Sequence, residues 1–186
     1  MDLKKAVITA VILLIAAAQA AAKESYPSAL KEWTRTGKVY VWDNMEARLI
    51  WNATYLSPDF RAARREKLDA LLEWTDAELM TQVREDAEES ADYDVFFLSI
   101  YAGSAAAPEV GKDDGLWRVF LDTKGATIAP VQMERLPVTQ VEKVLYPHLD
   151  KWSRAYYVRF PKTLHPGDAF TLRMAGVPAK SQLVWK

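Results

Sequence analysis

Residues 45–55 alternate between apolar and polar side chains along almost their whole length. In a β-strand successive side chains point to opposite faces, so a period of two gathers the apolar residues on one face. A helix would scatter the same residues around its axis. The alternation therefore predicts a strand with one buried face, which carries the following residues: Met45, Ala47, Leu49, Trp51, Ala53 and Tyr55.

Further strands are predicted on both sides of this one. Residues 39–42, followed by Asp43 and Asn44, are typical of a strand that leads into a tight hairpin turn. Residues 93–102 are apolar on both faces, as in the central strand of a sheet. The other predicted strands are 116–122, 126–133, 154–160, 169–174 and 182–185.

Turn signals separate these strands. Gly125 lies between two of them, and Pro166 with Gly167 fits the central positions of a type II turn. Residues 102–115 have no apolar period and are predicted to form a mobile loop. Short alternating strands with such punctuation predict a mainly β fold, an antiparallel β-sandwich of the immunoglobulin-like type.

Helical signals are concentrated in one region, near residues 57–90. Ser57 and Pro58 are typical of a helix start, and Thr75 with Glu78 matches a capping box. We therefore expect an inserted helical hairpin that packs on the sandwich, and a third, short helix over 139–146. The apolar side of the first hairpin helix would carry Phe60, Ala63, Leu68, Leu71, Leu72 and Trp74, and that of the second Leu79, Met80, Val83 and Ala87.

Residues 1–22 match an export signal peptide. Lys4 and Lys5 precede an apolar run from residue 6 to 18, and small residues follow it. Cleavage after Ala20 or Ala22 would release a single globular domain over 23–186. An uncleaved anchor is the alternative, because the apolar residues approach the roughly 20 that a spanning helix needs. With either outcome the domain is expected to be periplasmic or secreted, since the two lysines favour the cytoplasmic side.

The chain contains no cysteine. This composition excludes disulfide bonds, thiolate catalysis and cysteine-ligated zinc, and we expect no lipid anchor, since a lipoprotein needs a cysteine at the end of its signal. The formal net charge is −1, so nothing favours nucleic-acid binding, which usually shows as a basic excess. A domain of this kind must be stabilised by burial, for which it has 7 Trp, 8 Tyr and 6 Phe.

The sequence has no recognisable catalytic or cofactor motif. Its two histidines, His148 and His165, each stand next to a proline and are expected to be exposed turn residues. A metal-binding HExxH spacing, a phosphate-binding glycine loop and a GxSxG elbow are all absent from the sequence. We therefore expect no cofactor and no metal ion. A pair of carboxylates is the catalytic possibility that is hardest to exclude, because a hydrolase needs only two acids brought together by the fold.

Two tryptophans are candidates for a binding surface. Trp51 and Trp117 share strand faces with aliphatic residues and are predicted to lie in the core. Trp42 and Trp152 lie near strand ends, where an exposed ring could stack on a sugar or contact a partner.

Three arginines on the first hairpin helix form a second candidate surface. Arg61, Arg64 and Arg65 are predicted to present a basic patch to a partner. Arg64 falls between apolar positions, which leaves two interpretations. Its stem packs while the charged head reaches water, or it pairs with a carboxylate of the sandwich such as Asp94.

Two hypotheses about function follow. In the first, the chain is a non-enzymatic accessory protein of the cell envelope that binds another envelope protein through its β-sandwich or helical insertion. In the alternative, it is a carbohydrate-binding module or a carboxylate-based hydrolase that acts outside the cytoplasm. Export, abundant aromatic residues and the lack of a catalytic motif favour the first, and enzymatic activity is the less favoured class.

Overall fold

The computed structural model describes residues 25–40, 47–102, 110, 117–177 and 179–186. Within this part of the chain the fold is mainly β, with nine strands and four helices. The helices are α1 (Tyr26–Trp33), α2 (Pro58–Leu72), α3 (Asp76–Asp92) and α4 (Gln140–Leu145). The strands are β1 (Thr34–Tyr40), β2 (Ala47–Tyr55), β3 (Tyr93–Ala102), β4 (Trp117–Thr123), β5 (Ala126–Ile128), β6 (Gln132–Leu136), β7 (Arg154–Pro161), β8 (Phe170–Gly176) and β9 (Lys180–Trp185).

The strands form two antiparallel sheets, as predicted for a β-sandwich. A five-stranded sheet has the order β1-β2-β3-β7-β6, and a four-stranded sheet has the order β5-β4-β8-β9. The main core lies between them and is rich in aromatic rings. The ring of Phe170 stacks on that of Trp185 with 5.0 Å between centroids, and Phe96 packs edge-on against Phe160. Trp51 and Trp117 are fully buried in this core, as predicted.

The second face of β2 differs from the prediction in its C-terminal half, where it is polar and yet buried. Asn52 and Thr54 lie on this face. Asn52 Oδ1 accepts a hydrogen bond of 2.6 Å from Thr36, and its Nδ2 donates to Ser99 Oγ at 3.2 Å. Because cross-strand partners satisfy these polar groups, the face can be covered without leaving unpaired donors.

Helices cover the outer face of the five-stranded sheet and create a second apolar cluster. Tyr146 stacks on Phe97 of β3 with centroids 3.7 Å apart, and Phe60 of α2 lies 6.5 Å from Tyr146. Helix α1, which the sequence analysis did not predict, adds Tyr26 and Ala29 to this cluster. The domain is therefore layered, with helices on one sheet and the second sheet behind it.

The predicted strand 126–133 is wrong as a single element. Its first part is β5, which pairs with β4, whereas its last residues belong to β6, which pairs with β7 in the other sheet. Pro130 stands between the two strands. A proline has no N–H to donate to a sheet ladder, so it is suited to the point where the chain passes from one sheet to the other.

The helix and turn signals are confirmed where the structure describes them. Ser57 Oγ accepts a hydrogen bond of 3.1 Å from the Phe60 amide at the start of α2. Thr75 forms the expected capping box with Glu78 at the start of α3. Gly167 has a φ of 84°, as the third position of a type II turn requires. These local signals depend on neighbouring residues alone, which is why they can be recognised in the sequence.

Several predictions fall on parts of the chain outside the described residues. They are the signal segment 1–22, the turn after β1 with Trp42, and most of the loop 102–115. Among the residues that are described, none of the helices combines the length and apolar character needed to cross a membrane.

Candidate functional site

Helix α3 is attached to the domain by charged groups. Arg61 of α2 is only 3% exposed, and its Nη1 lies 3.1 Å from Asp86 and 2.8 Å from Glu89, both on α3. The Nε of the same guanidinium donates to the Leu56 carbonyl at 3.0 Å. Burial acts against the positive charge, but Tyr157, Glu89 and Asp86 outweigh it and raise the pKa of Arg61.

Two further arginines complete this ion-pair network. Arg65 of α2 contacts the second oxygen of Asp86, and Arg159 of β7 donates to Glu89 at 2.7 Å. Asp86 and Glu89 therefore each lie between two guanidinium groups. Breaking a buried pair of this kind is costly, since it leaves a charge without a partner. We call Arg61, Arg65, Asp86, Glu89 and Arg159 the α3 anchor.

The solvent-facing side of α3 carries exposed apolar side chains among charged ones. None of the residues of α3, all of which the structure describes, is buried. Met80 is 64% exposed, and Val83 and Ala87 are exposed as well. These three residues recur at helical spacing and form one stripe, which we call the α3 stripe. The predicted packing is therefore wrong for these three residues, because the anchor turns Asp86 and Glu89 inward, whereas Leu79, the fourth residue of the predicted apolar side, is partly buried.

A groove of about 630 Å³ runs beside α3. Among the described residues that line it, seven carboxylates face two guanidinium groups, those of Arg64 and Arg159. The anchor neutralises two of the acids, and the others give the groove a negative charge. No cluster of potential metal ligands occurs in the described residues. The acidic lining residues are Glu85, Asp86, Glu88, Glu89, Asp92, Glu134 and Glu142.

Arg64 lies at the floor of this groove and does not contact Asp94. The charge of the guanidinium interacts with Tyr26, Tyr146 and Tyr157, and its Nε is buried without a hydrogen-bond partner among the described residues. The predicted Arg64–Asp94 pair is wrong because other donors occupy Asp94.

Asp94 is 0% exposed and links β3 to two other segments. Its Oδ1 accepts hydrogen bonds from Tyr55 Oη at 3.0 Å and from Lys162 Nζ at 2.9 Å. Its Oδ2 accepts from the backbone amides of Thr163 and Leu164 at 2.7 and 2.8 Å. This carboxylate therefore fixes the chain that leaves β7, and its role is structural.

A second cleft, of about 430 Å³, opens on the outer face of the five-stranded sheet. Trp152 lines it and is 66% exposed, which agrees with its prediction as a surface residue. We call this the Trp152 cleft. Its lining residues are Ala47, Ile50, Asn52, Tyr101, His148, Asp150, Trp152 and Ser153.

The backbone next to Trp152 is held in a fixed turn. Asp150 Oδ1 accepts hydrogen bonds from the amides of Trp152 and Ser153 at 2.8 and 2.7 Å. Lys151 Nζ lies 4.8 Å from the centroid of the indole ring, which is a cation–π distance. The exposed ring is thus positioned by its neighbours and has one face covered by a cation.

His148 lies partly inside the same cleft, in contrast to the exposed turn residue that we expected. Its ring packs edge-on against Tyr146, and its Nε2 is buried without a partner among the described residues. Burial lowers the pKa of His148 to about 4, so the ring is neutral at neutral pH. His165 is exposed, as predicted.

The predicted site residues do not form one surface. Arg61 and Arg65 face α3 and carry its anchor, Arg64 lies at the floor of the acidic groove, and Trp152 belongs to a separate cleft. Trp42 lies outside the described residues. The sequence analysis missed Tyr101, whose pairing with Ile50 across β2 and β3 brings it to the cleft. Sequence spacing alone does not reveal such a cross-strand neighbour.

No protein-family model matches this sequence, and no curated protein matches it. Any functional role must therefore be argued from the geometry of these surfaces.

Proposed function

We propose that this protein is an exported, non-enzymatic accessory protein that binds another protein of the cell envelope through helix α3. The observation that carries the proposal is the exposure of apolar side chains at helical spacing on this helix. Its charged side forms the anchor, and its apolar residues Met80 and Val83 are exposed to solvent. Exposed apolar side chains at helical spacing form a stripe that a partner can cover.

The charge around the α3 stripe defines the kind of partner. Seven acidic residues and one basic residue lie on α3, and the groove beside the helix is acidic as well. A partner segment with apolar side chains flanked by lysine or arginine would match both features. The anchor acids are already paired, so the remaining carboxylates, such as Glu85 and Glu88, would meet these cations.

Some parts of the proposal rest on the sequence alone. Export is inferred from residues 1–22, and we expect the mature chain to begin at Ala21 or Lys23. An intact-mass measurement on protein recovered from the envelope fraction tests this, because an uncleaved chain would retain Met1. An immunoglobulin-like type for the sandwich, a single domain over 23–186 and the insertion of the helical hairpin also remain predictions.

Site-specific photo-crosslinking in cells that produce the full-length chain tests the binding surface. A photoreactive phenylalanine analogue at position 80 or 83 is expected to form a defined covalent adduct with one envelope protein. The same analogue at Val131, an exposed position between β5 and β6, is the control. Substitution of both Glu85 and Glu88 by lysine should reduce the adduct, because the partner's cations would then be repelled.

Two outcomes would contradict the proposal. Adducts of equal yield and identity at positions 80 and 131 would show that the stripe has no special partner. A captured protein without a basic, apolar segment at the crosslinked site would contradict the proposed partner chemistry. Retention of the adduct after the double lysine substitution would do the same.

The alternative in which the chain binds carbohydrate rests on a different surface, the Trp152 cleft. Of the described residues, none that lines this cleft also lines the acidic groove. The two activities can therefore be tested independently. A carboxylate-based hydrolase stays a prediction from composition, and the acids of the α3 anchor are engaged by arginines.

A further inference from the structure

We propose that the Trp152 cleft binds one uncharged pyranose ring of a glycan. This inference does not depend on the protein-binding role of α3, because the two surfaces share no residue in the part of the chain that the structure describes.

The Trp152 side chain is positioned to stack on a ligand. Large aromatic side chains are mostly buried in folded proteins, and this indole is 66% exposed at the rim of a cleft. The Asp150 turn holds its backbone, so little additional chain entropy is lost when a ligand stacks on the ring. Lys151 lies over one face of the indole, which leaves the opposite face for the ligand.

The wall of the cleft carries hydrogen-bonding groups of the kind that a sugar needs. A pyranose ring has an apolar face of C–H groups and a rim of hydroxyls, so it needs an aromatic platform beside hydrogen-bonding groups. Tyr101, His148 and Ser153 supply such groups next to Trp152. The neutral imidazole of His148 can donate from one nitrogen and accept at the other, and its buried Nε2 has no partner among the described residues. A volume of about 430 Å³ lies within the usual range of small-ligand sites.

The described lining of the cleft carries little charge. Among the described lining residues, Asp150 alone carries a charge at neutral pH, because the lowered pKa of His148 keeps its ring neutral. Lys151, which lies over the indole, offsets the charge of Asp150, so the cleft presents no net charge that would favour an anionic or a cationic sugar. The ligand class is therefore a neutral hexose or an N-acetylhexosamine, which share the apolar ring face.

Titration of ¹⁵N-labelled protein with defined oligosaccharides tests the inference. The separate arms are a neutral gluco-oligosaccharide, an N-acetylglucosamine oligomer and a polyuronic acid fragment. We expect one of the first two to shift the indole N–H resonance of Trp152, assigned by its loss in Trp152→Phe, with a Kd of about 1 mM or below. The arm that binds identifies the source of the sugar, and the polyuronic fragment should not bind.

Variants determine whether the binding occurs at the cleft. Trp152→Ala should weaken the affinity at least about tenfold, and its amide spectrum checks that the fold is retained. Met80→Ala, which removes a side chain of similar exposure on α3, should bind normally. Absence of a response to both neutral oligomers, binding of the polyuronic fragment alone, or unchanged affinity in Trp152→Ala would each overturn the inference.

Discussion

Replacement of Asp94 by asparagine should strongly destabilise the protein. Asp94 is fully buried and accepts hydrogen bonds from Tyr55, Lys162 and the amides of Thr163 and Leu164. An asparagine side chain retains one acceptor oxygen but turns an NH₂ group toward donors. If the asparagine oxygen takes the Oδ2 position, it still accepts from both backbone amides, and the NH₂ group then faces the donors of Tyr55 and Lys162.

The expected cost has two sources. The buried Tyr55 hydroxyl loses its acceptor, which costs about 1–3 kcal/mol, and the backbone amides keep a neutral acceptor, whose hydrogen bonds are weaker than those to a carboxylate. Together these effects predict a loss of about 3 kcal/mol in the free energy of unfolding. For a chain of this size this corresponds to a decrease in Tm of about 6–12 °C. Lys162 contributes little to the loss, because its side chain is 35% exposed and can be solvated.

Asp122→Asn provides a matched control. Asp122 accepts hydrogen bonds from Arg173 at 2.8 Å, but this pair is near the surface, where its loss should cost at most about 1 kcal/mol. Urea unfolding followed by tryptophan fluorescence gives both free energies. If Asp94→Asn is no less stable than Asp122→Asn, the structural role assigned to Asp94 is wrong.

Three further predictions concern α3, a close contact in the core and pH. In Arg61→Met, amide exchange in α3 should accelerate about thirtyfold, which corresponds to a decrease of about 2 kcal/mol in the free energy of local opening, while β3 stays protected. Equal acceleration in both elements would refute the role assigned to the anchor. Gly37→Ala should cost about 1–3 kcal/mol in urea unfolding, because the new Cβ would lie 2.4 Å from Trp51 Nε1, and an unchanged midpoint would refute this. The pKa of His148 is about 6.5 in the unfolded chain and about 4 in the folded protein, where the ring is buried. Between these two pH values the unfolded chain binds a proton that the folded protein does not bind. Stability should therefore fall by at most about 3 kcal/mol as the pH decreases through this window, and His148→Phe should flatten the profile; an equally steep profile in that variant would contradict the assignment.

Much of the β architecture could be predicted because its signals are periodic or local. The alternation in residues 45–55 depends only on strand geometry and gives the core-facing side of β2 correctly. Helix α1 was also recognisable in principle, since Tyr26, Ala29 and Trp33 are spaced along one helical face and a proline stands in the first turn.

The remaining errors arise from contacts between distant parts of the chain. The sequence shows an apolar stripe on α3, but the inward orientation of Glu89 depends on Arg61 and Arg159, which lie on other elements. The passage between sheets near Pro130 depends likewise on which partner strands are available. For the same reason Trp152 could be nominated from its position, whereas its neighbour Tyr101 required the register of β2 and β3.

The attachment of α3 by ion pairs, with apolar side chains exposed, also has an evolutionary consequence. In most helices the apolar residues are constrained by the core, so a change in a binding surface often reduces stability. Here the anchor residues carry the structural constraint, and Met80, Val83 and Ala87 are not needed for packing. Substitutions in the stripe can therefore accumulate at little cost in stability, and the specificity of this surface can diverge while the fold is preserved.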